Sequence, residues 1–213
     1  MPKVQETTEF ARELIPAGSY FVRLVQIIDL WTQAIVWNEE EKQQRKIMFT
    51  FELPDEKYEF ETKDGEKKSG VKLKSKQYTL SRSEQAWLRK MIETRQGNQT
   101  LWADWLDVSV WLGKCGIGTI QHNVAKNGKT YDNLEAITPL MKWMEEQKQI
   151  TPSLYFDLDD YNPVTFDGLP EWIQNIIRLS PEYSKVAWNK PTETEADSKP
   201  IHWSIEDTND LPF

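Results

Sequence analysis

The sequence predicts a mainly β protein: five strands with one helix set between the third and the fourth, then a C-terminal extension and an acidic tail. Three observations predict it. Apolar residues alternate with period two over 45–53 and over 71–80, the period lengthens to a helical one over 82–95, and Asn127-Gly128 marks a tight turn between two further β-rich runs.

The elements follow in order. "SYFVRLVQIIDL" (19–30), opened by Pro16 and Gly18, is dense in β-branched and aromatic residues. Part of it is apolar on both faces, as a strand shared between two sides of a small barrel would be. "RKIMFTFEL" (45–53) places Ile47, Phe49 and Phe51 on one face and Lys46, Met48 and Thr50 on the other. A polar connection, "PDEKYEFETKDGEKKSG", leads to "VKLKSKQYTL" (71–80), whose even positions are Lys72, Lys74, Lys76 and Tyr78. In "SRSEQAWLRKMIETRQGN", Ser81 and Glu84 have capping-box spacing, Leu88 and Ile92 repeat at i,i+4, and Gly97 closes the segment, so a helix is expected near 82–95. "GIGTIQHNVAKNGKTYDNLEAITPL" then reads as two strands around Asn127-Gly128.

Past Leu140 the chain becomes rich in Pro and acids, with one short amphipathic helix at 169–180 and Pro170 near its first turn. From Pro191 the apolar content is too low to support a fold. The expected division is a barrel over 1–140, an extension over 141–190 packed on it, and a disordered acidic tail over 191–213. The order β-β-β-α-β-β is that of the five-stranded oligonucleotide/oligosaccharide-binding barrel, the OB-fold. Its ligands lie on strands 2 and 3 between the 1–2 and 4–5 loops.

Composition excludes several classes. One cysteine, Cys115, and two histidines allow neither a disulfide framework nor a Cys/His zinc site, so no metal and no cofactor are expected. "DLDD" (Asp157, Asp159, Asp160) is the one compact carboxylate group, and it reads as a turn before it reads as a magnesium site. No apolar run approaches the ~18 residues of a membrane span, and the N-terminus lacks an apolar signal core, so a cytosolic protein is expected. No nucleophile–base pair stands out, and "GKCGIG" (113–118) lacks the Lys-Ser/Thr ending of a phosphate-binding loop. A non-enzymatic protein follows.

Charge is segregated. The chain carries −8 overall, but 191–213 alone carries −5, whereas 42–95 carries fourteen Lys or Arg against nine acids. From Lys67 to Arg82 there are six basic residues and no acid. A basic middle and an acidic tail point to a polyanionic partner.

On the third strand, Lys72, Lys74, Lys76 and Tyr78 are spaced to meet successive phosphates and one unpaired base, although alternating lysines also serve simply to solvate an edge. Arg45 and Lys46 on the second strand, and Lys126, Lys129 and Tyr131 of the 4–5 hairpin, extend the candidate face. Trp31 and Trp37 are assigned to the 1–2 loop as stacking candidates. Trp87, in the expected helix, is assigned to the core, and Trp102, Trp105 and Trp111 are expected to pack the helix-to-strand link. His122 reads first as a strand residue and second as a nucleic-acid contact.

The chain ends "SIEDTNDLPF". Glu206, Asp207 and Asp210 precede Leu211, Pro212 and Phe213, an acidic lead and an apolar ending that suit capture by a basic, partly apolar pocket on a partner protein. This ending resembles that of bacterial single-stranded DNA-binding proteins, with Leu211 in place of Ile and a sparser acid run. Through "IPAGSYFVRLVQIIDL", "KIMFTFELPDE", "KQYTLS" and "HNVAKNGKTYDNLEAITPL", residues 14–180 resemble single-stranded DNA-binding proteins of tailed bacteriophages.

The resemblance implies sequence-independent binding and protection of single-stranded DNA in phage replication and recombination. It also implies recruitment of host or phage replication proteins through the tail, in the cytoplasm of an infected bacterium, by a monomer or small homo-oligomer. The alternatives are an OB-fold module for protein or RNA, and a metal-dependent nuclease or recombination enzyme using the 157–160 acids.

Overall fold

The computed structural model describes residues 14–37, 40–61, 67–81, 88, 107–125, 128–158 and 160–187. The expected 82–95 helix and the 191–213 tail lie outside these residues, except for Leu88, which is helical and buried.

The chain is mainly β, a curled antiparallel sheet forming a half-barrel. Its strands are β1 (Gly18–Trp37), β2 (Glu40–Glu61), β3 (Lys67–Thr79), β4 (Cys115–Val124) and β5 (Thr130–Thr138), in the spatial order β3-β2-β1-β4-β5. A short β6 (Leu154–Phe156) lies parallel to β1 beside Gln26–Ile28. Three helices follow: α1 (Pro163–Asp167), α2 (Glu171–Arg178) and α3 (Pro181–Ala187).

The apolar run in β1 is explained by two bulges. The β1–β2 register shifts between Leu24 and Gln26 and again between Asp29 and Trp31. Each extra residue reverses which side chains face inward. Val22 and Leu24 therefore face a first core, and past the first bulge Ile27 takes their place. Ile28 and Leu30 face a second core on the outer side of the sheet, and past the second bulge Trp31, at φ 64°, joins them.

The first core fills the curl of the sheet with Ile47, Phe49, Phe51 and Leu53 of β2, Tyr78 of β3, Ile120 of β4, and Leu134 and Ile137 of β5. Trp111, in a 3-10 turn before β4, closes one end of it as expected for that residue. The second core is made by the C-terminal extension. Phe156, Phe166, Leu169, Ile173 and Ile177 cover Ile28, Leu30, Trp31 and Met48. Ile173 and Ile177 are one helical turn apart, so α2 buries one stripe against the sheet and leaves Glu171 and Arg178 in solvent.

Three expectations need correction. The single C-terminal helix is one of three, because Asn162 caps α1 through Val164 and Thr165, and Ser180 starts α3. Trp31 and Trp37 do not sit in a loop: "WTQAIVW" continues β1 to Trp37, and β2 starts at Glu40. The 2–3 connection is largely strand. Lys57–Glu61 pairs with Lys67–Val71 as a two-stranded arm, past three extra residues at 54–56.

Candidate nucleic-acid interface

The cross-strand register settles where the predicted lysine face points. Lys72 lies opposite Leu53, Lys74 opposite Phe51, Lys76 opposite Phe49, and Tyr78 opposite Ile47. Residues paired across a ladder share a face. The lysines therefore stand on the concave side with the phenylalanines, not on the outer surface.

The amines of Lys74 and Lys76 reach the seam where β3 approaches β5. Lys74 is 7% exposed, and its Nζ lies 2.5 Å from Asp132 Oδ1. Lys76 donates to the Leu134 carbonyl at 2.7 Å and lies 3.7 Å from Glu135. Lys72 pairs with Glu56 at 3.8 Å. Burial lowers the Lys76 amine below its ordinary value, with Glu135 opposing the shift. Tyr78 is buried against Phe49, and burial, with Glu135 nearby, holds its phenol well above the usual range. These groups bridge the half-barrel. Burial of Lys74 and Tyr78 corrects their reading as part of an open binding face, whereas Lys72 and Lys76 are half-buried beside Glu56 and Glu135.

The outer face of the same ladder is polar but weakly charged. Thr50 and Ser75 share a hydroxyl hydrogen bond at 2.9 Å, and Lys46 donates to Thr79 at 2.8 Å. Burial lowers the Lys46 amine as well. Farther along β1–β2, residues 147–151 cross the outer face. Glu52, fully buried, accepts the backbone N–H groups of Ile150 and Thr151, the latter at 2.7 Å, while Arg23 donates to the carbonyls of Gly113 and Gln147.

The other candidates divide similarly. Arg45 is partly exposed, but its guanidinium is bonded to the buried Asp29. Desolvation raises the Asp29 carboxyl despite the opposing bonds from Arg45 and the Trp31 amide. Trp31 is fully buried among Phe156, Tyr161 and Tyr183, so its proposed stacking role gives way to core packing. Trp37 ends β1, and its side chain lies outside the described residues, as does all of Lys126.

His122 bonds the Ile15 carbonyl at 2.7 Å, while Asp132 accepts the Ile15 N–H at 2.8 Å. Together they latch the entering chain onto β4 and β5. Lys129 is exposed beside the turn, where Gly128 takes φ 79°, and Tyr131 is half-buried. The β4–β5 hairpin does not stand beside the β1–β2 hairpin: β4 pairs only with Gly18–Arg23, the opposite end of β1 from Trp37.

That opposite end is where β2 and β3 extend as the arm. Its exposed basic groups are Lys57, Lys67 and Lys68, with Tyr58 lying over Gly70. The alternation in "KYEFE" was the signal for this arm; its high polarity hid it. Asp157 accepts the Asp160 N–H in a turn, and Asp159 lies outside the described residues. Among the described residues no group of three or more His, Cys, Asp or Glu could hold a metal ion. No helix among them is long and apolar enough to cross a membrane. No protein family, curated protein or solved structure matches the chain.

Proposed function

We propose that the protein binds single-stranded DNA without sequence preference, as a five-stranded OB-fold of the tailed-phage type. The observation that supports this best is the path of the strands. β1 lies between β2 and β4, and side chains of β3 reach β5 across the open side of the half-barrel. Lys74 meets Asp132 and Lys76 meets Leu134, so the two edge strands run in the same direction across the seam. This approach of the third strand to the fifth is what supports the OB-fold reading.

Lys57, Lys67 and Lys68 of the β2–β3 arm, which stand among acids, and Lys129 of the β4–β5 hairpin, all at the end of the sheet where β1 begins, are the cations we assign to phosphates. The acidic 191–213 segment recruits replication or recombination proteins of phage or host in the bacterial cytoplasm.

Fluorescence titration with oligo-dT of increasing length at two salt concentrations tests the reading. Saturable binding that strengthens with length is expected, with log K falling linearly in log salt by about 0.7 per phosphate contacted. Failure to bind any length of oligo-dT at low salt overturns it.

A further inference from the structure

The outer face of the sheet is covered in two ways. β6 and the three helices cover it with apolar side chains, which form the second core. Residues 139–153, between the end of β5 and the start of β6, cover it almost without them. No residue of that stretch is buried, and Met141, Trp143 and Ile150 are exposed. Neither core includes any of its residues. Its own backbone bonding, among the described residues, is a single turn from the Met144 N–H to the Met141 carbonyl at 2.9 Å.

What holds the stretch is polar. Arg23 and Glu52 are partners across the β1–β2 ladder, and Arg23 Nε lies 3.7 Å from Glu52 Oε1. Both are buried, Glu52 completely. Arg23 donates to the Gln147 carbonyl, and Glu52 accepts the N–H groups of Ile150 at 3.2 Å and Thr151 at 2.7 Å. At the rim, Gln147 donates to Asp55 at 3.1 Å. Two buried charges thus grip backbone atoms, and the side chains of the stretch add little packing.

That balance makes the stretch cheap to lift. Opening uncovers little apolar surface, and it returns water to a carboxylate and a guanidinium that burial had desolvated. The N–H groups released from Glu52 bond to water instead. Both ends stay fixed, by β5 on β4 and by β6 on β1, and Arg23 keeps its bond to the Gly113 carbonyl at 2.7 Å.

We propose that residues 139–153 form a lid that opens as a unit from the outer face of β1 and β2 while the sheet and both cores stay folded, with Arg23 and Glu52 as its catch. Closed, the lid hides the pair. Open, it presents a guanidinium and a carboxylate side by side on the sheet. The lid does not depend on the DNA reading.

Native-state hydrogen exchange of the full-length chain in increasing urea tests this. Ile150 and Thr151, held by Glu52, are the reporters. Leu24, whose N–H donates to the Lys114 carbonyl at 3.0 Å beside the first core, is the reference. After correction for intrinsic rates, Ile150 and Thr151 are expected to exchange about 100-fold faster than Leu24 or more, through a local opening. Their exchange should respond weakly to urea, because urea sensitivity scales with the surface an opening exposes. Glu52→Gln keeps the size and an acceptor oxygen but loses the charge, and should speed exchange at Ile150 and Thr151 by about a further tenfold. Any loss of global stability in the variant is read separately at Leu24.

Exchange of Ile150 and Thr151 at the Leu24 rate, with the same urea dependence, would mean that the stretch leaves only when the whole fold does, and overturns the lid. That measurement on the parent decides the matter even if the variant does not fold. Local opening in the parent with rates unchanged in a folded Glu52→Gln would refute the catch.

Discussion

Lys74 shows how one residue can reverse its meaning between a sequence and a fold. As part of an acid-free run it looks like a phosphate ligand, but in the sheet it is a buried cation facing Asp132 at 2.5 Å. A buried pair is a weak stabiliser against an apolar replacement and a costly one to break, because the surviving charge stays desolvated. Asp132→Asn is therefore expected to destabilise the protein by about 3–5 kcal/mol in urea unfolding. The double variant Lys74→Met/Asp132→Asn should recover part of that loss, because the amide oxygen still accepts the Ile15 N–H while the unpaired cation is gone. The salt slope of DNA binding by the folded fraction should not move in either. A slope reduced in the double variant with stability retained would return Lys74 to the binding surface. Tyr78 belongs to the same argument. Its spacing from the lysines was legible, while its burial at 3% depended on the register with Ile47.

Among the elements, the C-terminal extension packs on the sheet and completes a second core there. It supplies five of the nine buried members of the second core and covers the outer face of β1 and β2. Its amphipathic helix was recognisable from the spacing of Ile173 and Ile177, but the surface that receives it was not. That surface exists because the bulges in β1 turn Ile28, Leu30 and Trp31 outward. Ile177 is fully buried, so Ile177→Ala should cost about 2–5 kcal/mol in equilibrium unfolding, like other aliphatic truncations in a packed core. A loss near zero would mean that the extension contributes little packing. The arm of β2–β3 is the converse case. Its alternation was present in "KYEFE", but charged residues on one face made it resemble a loop, and the cross-strand pairing from Lys57 to Glu61 shows it to be strand.

For the whole molecule, the proposed function divides the labour between the sheet, which would bind DNA, and the acidic 191–213 segment, which would bind proteins. Deleting residues 204–213 should remove the capture of replication proteins in pull-down assays. The lost acids should tighten oligo-dT binding modestly at low salt, an effect that disappears as salt screens beyond about 10 Å at 0.1 M. Capture that survives the deletion would leave 204–213 no role as a docking segment.

The sequence by itself determined the mainly β class, the central part of each of the five main strands, the β4–β5 turn at Gly128 and the segregation of charge. Each of these is written locally, in a period, a turn residue or a run of like charge. Only the tertiary structure decided which face of each strand is interior. Alternation says that two faces differ, not which of them meets the rest of the chain. In β3 the lysines took the inner face because β5 offers Asp132, the Leu134 carbonyl and Glu135 across the seam.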